Sequence, residues 1–357
     1  MTHRVVQFST GHAGRPSLRH IIDNPELELV GVHAHSPAKV GRDAAELCGL
    51  TGSTGIVATD DIDELLAARP DVVVYMSQGE TRPDQAVADM VRFLEAGVNV
   101  VGTSLIWLVN PATADEWMRE PLRAACELGQ STLYINGIDP GFVGDTLPLA
   151  ALTLVQTATK VHVQEIFDYS TYADPEFTGA VFGFGNAPDD EPPMLFLPGA
   201  VASGWGSSIS LLAAEMGIEL DEIRDGHETW LATATIDCAM GHVERGHVAG
   251  VRFWAEGLVD GRPVIVHEHV NRLGRDAAPD WPYPPEGRDG VHRVRIEGHP
   301  GVEINVHVGL AGIDHNEGGI VATAARVVNA IPAVVAAAPG MVSPADLPLG
   351  QARGLFR

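Results

Sequence analysis

Val5-Val6-Gln7-Phe8-Ser9-Thr10-Gly11-His12-Ala13-Gly14, followed by Leu18, Ile21 and Ile22, decides how this chain folds. Val5, Val6 and Phe8 form an apolar run of strand type, and the apolar residues after the glycines recur at helical spacing. The unit reads strand, glycine turn, helix. Gly11 and Gly14 stand where the second and third glycines of the dinucleotide fingerprint belong, with Ser9 at the place of the first. Glycine is required because backbone must approach a pyrophosphate closely at a helix N-terminus, whose free N–H groups and dipole favour an anion. Gly11, His12, Ala13 and Gly14 are therefore the expected phosphate-binding turn; the alternative is a tight turn that binds nothing.

The alternation continues outward. Pro25 stops the helix, and Leu27 to Val32 make a second strand. Asp61 with Glu64 forms a capping box for a helix that Pro70 ends. Asp71 to Met76 is a β-branched run of the kind buried on both faces of a parallel sheet. Val87, Met90, Val91 and Leu94 share a helical face, and Gly97 sits where a left-handed cap belongs. A strand at 98–101, a helix over 116–129 and a strand at 131–135 complete the pattern. The class is α/β, with a Rossmann doubly wound parallel sheet over residues 1–150. From Lys160 onward, runs such as Val161-His162-Val163-Gln164-Glu165-Ile166 alternate apolar and polar. They predict a second α+β domain, built on a largely antiparallel sheet over 151–317. Segments 174–198 and 276–290, rich in Pro, Gly and acids, read as loops or lids. A helix and tail over 318–357 close the chain, with Val321, Ala325, Val328 and Ile331 as the helix's apolar stripe.

A length of 357 residues suits about two domains, and 45% hydrophobic with 20% charged residues suits a globular chain. Lys and Arg number 23 against 47 Asp and Glu, a net charge of −24. That sign argues against nucleic acid or an anionic membrane surface as partner. Three cysteines suit neither a disulfide framework nor a Cys-rich zinc site, so a reducing cytoplasm is expected. No apolar stretch of signal-peptide length precedes the first strand. The small-apolar stretch 318–338 contains Arg326, Asn329 and Pro332 and reads as a packed helix rather than a membrane span.

After the second strand come His35-Ser36-Pro37-Ala38-Lys39-Val40-Gly41-Arg42. The acid that NAD-selective domains place there is missing, while His35, Ser36, Lys39 and Arg42 offer a hydroxyl and cations to a 2′-phosphate. NADP(H) is favoured, with NAD(H) still open; the alternative reading makes Lys39 and Arg42 solvated surface charges. Ser77, Gln78, Thr103 and Gly137 follow later strands and are the expected neighbours of the nicotinamide. Asp139, in a rigid turn, orients the amide or a substrate proton, or else caps the next helix. Tyr172 and Phe142 are candidate aromatic walls of an apolar pocket, Tyr172 with a hydroxyl for proton transfer or simply a core residue. His269, in His267-Glu268-His269, is a candidate acid or base. His242, His247, His267 and His269 lack zinc-ligand spacing, so no metal is expected.

Val5 to Arg15, Leu29-Val30-Gly31-Val32 and His35 to Asp43 resemble the dihydrodipicolinate reductase-like group, and within it the 2,4-diaminopentanoate dehydrogenase and native amine dehydrogenase family. Gly137-Ile138-Asp139-Pro140-Gly141-Phe142, Asn329-Ala330-Ile331-Pro332, Ala338-Pro339-Gly340 and Asp346-Leu347-Pro348 extend the likeness to the C-terminus. It implies a second domain that closes the active site and forms a homodimer, and hydride transfer between a nicotinamide and a C=N or C=O carbon of a small-molecule substrate. It also implies that the last helix lies near the nicotinamide, with Asn329 facing inward and Thr323 at the substrate pocket. There is a departure. Members with amine dehydrogenase activity carry a glutamate shortly after the strand that reads Val100-Val101-Gly102-Thr103, an acid implied to hold ammonia or the amine. Leu105 takes that place here as a pocket residue, which favours a preformed imine or a carbonyl over free ammonia. The leading expectation is an NAD(P)H-dependent oxidoreductase of small apolar amines, imines or carbonyls. A non-catalytic NADP-sensing protein, or a carbonyl reductase without amination activity, is the alternative.

Overall fold

The structure is a computed structural model that describes residues 2–355. It divides into two compact units, Met1–Phe142 with Ile320–Arg357, and Val143–Gly319. In chain order the first unit holds β1 (His3–Phe8), α1 (Gly14–Asp23), β2 (Leu27–His33), α2 (Ala44–Leu47), β3 (Ala58–Thr59), α3 (Ile62–Ala67), β4 (Val72–Tyr75), α4 (Pro83–Glu95), β5 (Asn99–Gly102), α5 (Glu116–Gly129) and β6 (Thr132–Ile135). The second holds α6 (Thr146–Leu152), β7 (Thr157–Asp168), α7 (Pro175–Ala180), α8 (Ala200–Glu215), β8 (Glu222–Leu231), β9 (Ile236–Cys238), β10 (Gly241–Val243), β11 (Val248–Val259), β12 (Arg262–Arg272), β13 (Gly290–His299) and β14 (Val302–Val306). Helix α9 (His315–Ala336) crosses the division, and β15 (Gly340–Val342) rejoins the first sheet.

In the first unit seven parallel strands run in the order β15-β6-β5-β4-β1-β2-β3. The order reverses between β1 and β4, and a ligand crevice is expected beyond the carboxyl ends there. The strands are apolar because both faces are covered. Val73, Tyr75 and Val100 pack with α4 and α5, while Val5, Val72, Val74 and Tyr134 pack with α9. Gly97 has φ +80, the left-handed cap its place after α4 predicted. Helix α9, with a mean hydropathy of 1.7, is long and apolar enough to cross a membrane. Ala324, Val327, Val328, Ile331 and Val334 are instead buried against the sheet. That stripe corrects the one expected from sequence: Val321 is exposed and only Val328 and Ile331 are shared, because the helix is rotated by about one residue from the face chosen.

The second unit holds a six-stranded sheet, β14-β13-β7-β12-β11-β8, with one parallel pair, β7 and β12, and a separate two-stranded antiparallel sheet of β9 and β10. Alternation sends Val161, Val163 and Phe167 into the core shared with α8. The opposite face carries a polar network in which the Glu268 carboxylate accepts from His162 (2.9 Å), Gln164 (2.6 Å) and Arg252 (2.7 Å). Although burial opposes ionisation, these donors hold that carboxyl down at about 2. Two sequence expectations change. The boundary lies at 142/143 rather than 150/151, because Leu147, Leu149 and Ala151 of α6 pack into the second core. Segment 174–198 is mostly loop, as its composition predicts, but it also forms α7 and buries Phe182, Phe184, Leu195 and Phe196.

Candidate nicotinamide-nucleotide site

Between β1 and α1 the backbone closes on itself. A Cβ on Gly14 would lie 2.4 Å from the Ser9 carbonyl oxygen, so position 14 admits glycine alone without a shift of backbone. Ser9, at the place of the first fingerprint glycine, has φ +76, a conformation that glycine adopts more cheaply. The Gln7 amide holds the turn, donating to the Ser9 carbonyl (2.8 Å) and accepting from Ser17 Oγ (2.7 Å). Helix α1 begins at Gly14 with Ala13 as N-cap, with no side-chain cap and no acid in its first turn. Of its first residues, Arg15 already donates to the Gly11 carbonyl (3.0 Å) and Pro16 has no N–H, so the Gly14 N–H and the helix dipole are what the helix start offers an anion. Lys39 Nζ donates to the Thr10 carbonyl (2.9 Å), bringing a cation against the turn, and the buried Thr10 hydroxyl has no hydrogen-bond partner among the described residues. A pyrophosphate fits this cradle formed by Gly11, His12, Ala13 and Gly14.

Beyond β2, Ser36 is exposed, and Arg42 pairs with Glu46 (2.8 Å) one turn along. The second cation expected at a 2′-phosphate is therefore already partnered. The sequence reading missed Arg82. Its guanidinium meets His35 Nε2 (2.9 Å), Ser77 Oγ and the Gln78 carbonyl (3.2 Å), joining the loops after β2 and β4. Its signal was its position, one residue before the Pro83 that opens α4. Burial and the Arg82 charge both hold His35 below its ordinary value. Beneath these loops lies a recess of about 640 Å³ bordered by His33, His35, Asp60, Arg82 and Asp89. There Phe8 stacks on His33 (3.8 Å) and Tyr75 (4.6 Å).

At the ends of β4 and β5, Thr103 Oγ1 lies 3.5 Å from Met76 Sδ, and Ser104 Oγ donates to the Ser77 carbonyl. Leu105 is corrected as a pocket residue. It has φ +63, and its side chain is fully buried in the core that packs α4 and α5. Its backbone N–H donates to the Glu80 carboxylate (2.8 Å), as do those of Ile106 (3.2 Å) and Gly79 (3.2 Å). Burial raises the Glu80 carboxyl, and these three donors pull it back. Glu80 was also missed; a carboxylate recruited by backbone donors 25 residues away leaves no local signal.

After β6 the segment 136–142 meets α9. Ile138 N–H donates to Thr323 Oγ1 (3.4 Å), and a Cβ on Gly137 would lie 3.4 Å from Thr323 Cγ2. Arg326 donates to Asn136 Oδ1 (2.9 Å) and lies 5.7 Å from the Phe142 ring. Gly137, Phe142 and Thr323 thus come together, and Asn329 Oδ1 is buried with no partner among the described residues. Asp139 does not cap α6; Asp145 does, accepting from the Thr146 N–H.

Tyr172 and His269 belong to the second unit. Tyr172 stacks on Tyr169 (5.3 Å), and burial together with Asp174 and Glu165 pushes its phenol up to about 12, which suits a wall better than an acid working near neutrality. His269 is buried, stacked on Phe253 (4.6 Å), with Nδ1 3.4 Å from Glu165. The Glu165 carboxylate also accepts from Tyr169 OH (3.1 Å) and Asn271 Nδ2 (2.8 Å). Glu165 was missed as well, although its signal was legible: it is the one charged residue in the apolar register Val161, Val163, Phe167.

The family model of the 2,4-diaminopentanoate dehydrogenase C-terminal domain matches residues 142–354. The chain is 41% identical over 350 residues to an amine dehydrogenase of Streptomyces virginiae, covering 98% of this chain and 97% of that one. It is 26% identical to 2,4-diaminopentanoate dehydrogenase of Acetoanaerobium sticklandii, over 83% and 79% of the two chains. Among solved structures, amine dehydrogenase from Mycobacterium smegmatis superposes with a TM-score of 0.76 over 98% of this chain and 97% of that one, at 21% identity, a likeness of fold.

Proposed function

The chain belongs to the 2,4-diaminopentanoate dehydrogenase family and is an NAD(P)-dependent oxidoreductase, and from that premise we propose that it prefers NADP(H) and acts on C–NH2 or C=N groups of small apolar substrates. The observation that carries the reading is the cradle at Ser9–Gly14, where a Cβ at position 14 would strike the Ser9 carbonyl beside an uncapped helix. The nicotinamide supplies the hydride chemistry when bound. The first unit binds and orients it. Gly11 to Gly14 take the pyrophosphate, while Ser36, Lys39 and Arg82 present a hydroxyl and two cations to the adenosine side. Thr103, Gly137 and Asn329 line the nicotinamide end, with Glu80 fixing the loop after β5. In the second unit the Glu165 carboxylate keeps a proton on His269 Nδ1, and Tyr169, Tyr172 and Phe182 form an apolar wall that suits a substrate without charge on its side group. We assign the polar sheet face around Glu268 to a homodimer contact.

The test is cofactor affinity followed by turnover. NADPH is expected to bind at least about tenfold tighter than NADH at low salt, since one charge-assisted hydrogen bond is worth about 1.5–3 kcal/mol. NADP+ reduction is expected with small primary amines. Equal affinities remove the cofactor preference; absence of turnover across a panel of apolar amines, and of ketones with ammonium, removes the substrate class.

A further inference from the structure

On the second unit's sheet, at the ends of β7 and β12, lies a cavity of about 320 Å³ roofed by the 282–289 segment. Arg272 lines it and is 3% exposed. Its guanidinium lies over Tyr283, with Cζ 4.0 Å from the ring centroid, and Nη2 donates to the Pro282 carbonyl (2.7 Å). Nε and Nη1 are buried and have no hydrogen-bond partner among the described residues. A buried guanidinium with unpaired donors is costly, and burial already weighs against its charge. The Asp168 charge favours the guanidinium from nearby, but neither neighbouring carboxylate hydrogen-bonds it. Asp168 Oδ1 accepts from the Ser170 and Gly274 N–H groups (2.8 and 3.0 Å), and Asp289 pairs with Arg275 (2.6 Å).

We infer that this cavity binds a small monocarboxylate with an apolar body, its carboxylate on Arg272. The lining favours a monoanion: with Arg275 held by Asp289 and Arg288 exposed to solvent, Arg272 is, among the described residues, the one buried cation on it left to be met, and Asp168 and Glu286 on the same lining weigh against a phosphate dianion. The apolar body follows from the remaining walls, which are Ile166, Phe167, Pro284 and Pro285. The volume lies at the small end of ligand pockets, roughly 300–1,000 Å³, and suits a ligand of the size of benzoate. Every residue named belongs to the second unit, so the inference is independent of the nucleotide cradle and of the substrate class.

The probe is benzoate, with inorganic phosphate and chloride at matched ionic strength as controls. Saturating benzoate is expected to raise the Tm of the full chain by about 3 °C while phosphate does no more than chloride. Arg272→Met should abolish the benzoate shift without changing NADPH affinity. In crystals of the wild-type protein soaked in 4-bromobenzoate, bromine is expected beside Phe167 and Pro285, a result that does not depend on the variant folding. No benzoate shift, an equal shift with phosphate, a shift that survives Arg272→Met, or bromine elsewhere would each overturn the inference.

Discussion

At the scale of single residues, three positions carry predictions. Gly14→Ala places a methyl 2.4 Å from the Ser9 carbonyl, and backbone rather than a flexible side chain must move. NADPH affinity should fall at least about tenfold and stability by about 1–3 kcal/mol, measured by fluorescence titration and urea unfolding. Leu105→Glu is expected to lose about 3–5 kcal/mol without any gain in ammonia-dependent turnover, because the side chain at 105 points into the core and a carboxylate there is buried without a partner. A stable variant with raised amination would show that position 105 reaches the substrate. His33, 3% exposed, is held near 4 by burial and then by His35. Its folded value lies below the ordinary 6.5, so the unfolded chain takes the proton first and stability falls as pH drops from 6.5 to about 4. That gap is worth about 3 kcal/mol, and the acid-side loss between about pH 6.5 and 4.5 should shrink in His33→Phe.

Elements show where pattern reading works and where it stops. The run Val72–Tyr75 could be recognised as a buried parallel strand because it is short, apolar throughout and largely β-branched, and follows the break at Pro70, as a strand covered on both faces requires. Helix α9 was recognised as packed, but its buried face was misjudged, since small residues on nearly every side leave the apolar stripe poorly defined. The stripe of Ala324, Val327, Val328, Ile331 and Val334 buries four branched side chains worth about 1.5–3 kcal/mol each. Deletion from residue 318 onward should therefore abolish soluble folding of the first unit. A truncated chain that stays monodisperse and binds NADPH would refute it. The loops after β4 and β5 show the reverse case. Glu80 accepts from three backbone N–H groups, and Glu80→Ala should cost about 2 kcal/mol or more, read by urea unfolding.

For the molecule as a whole, the homodimer assigned to the polar sheet face predicts a two-chain particle by light scattering. Dissociation is expected with Glu268→Lys, which replaces the carboxylate that Arg252 meets with a second cation and so sets an ammonium against the guanidinium. A monomer at micromolar concentration would remove the assignment. The sequence by itself determined the Rossmann topology, the phosphate turn and the second, mostly antiparallel sheet, because each follows from local periodicity and glycine geometry within about 30 residues. Tertiary structure alone decided which side chains meet. Arg82 reaches His35 across 47 positions, Glu80 reaches Leu105 across 25, and Asn271 reaches Glu165 across 106. Hydrogen bonds of that kind are selected by how strands and loops lie in space, and a linear pattern records only which residues are polar, not which of them become neighbours.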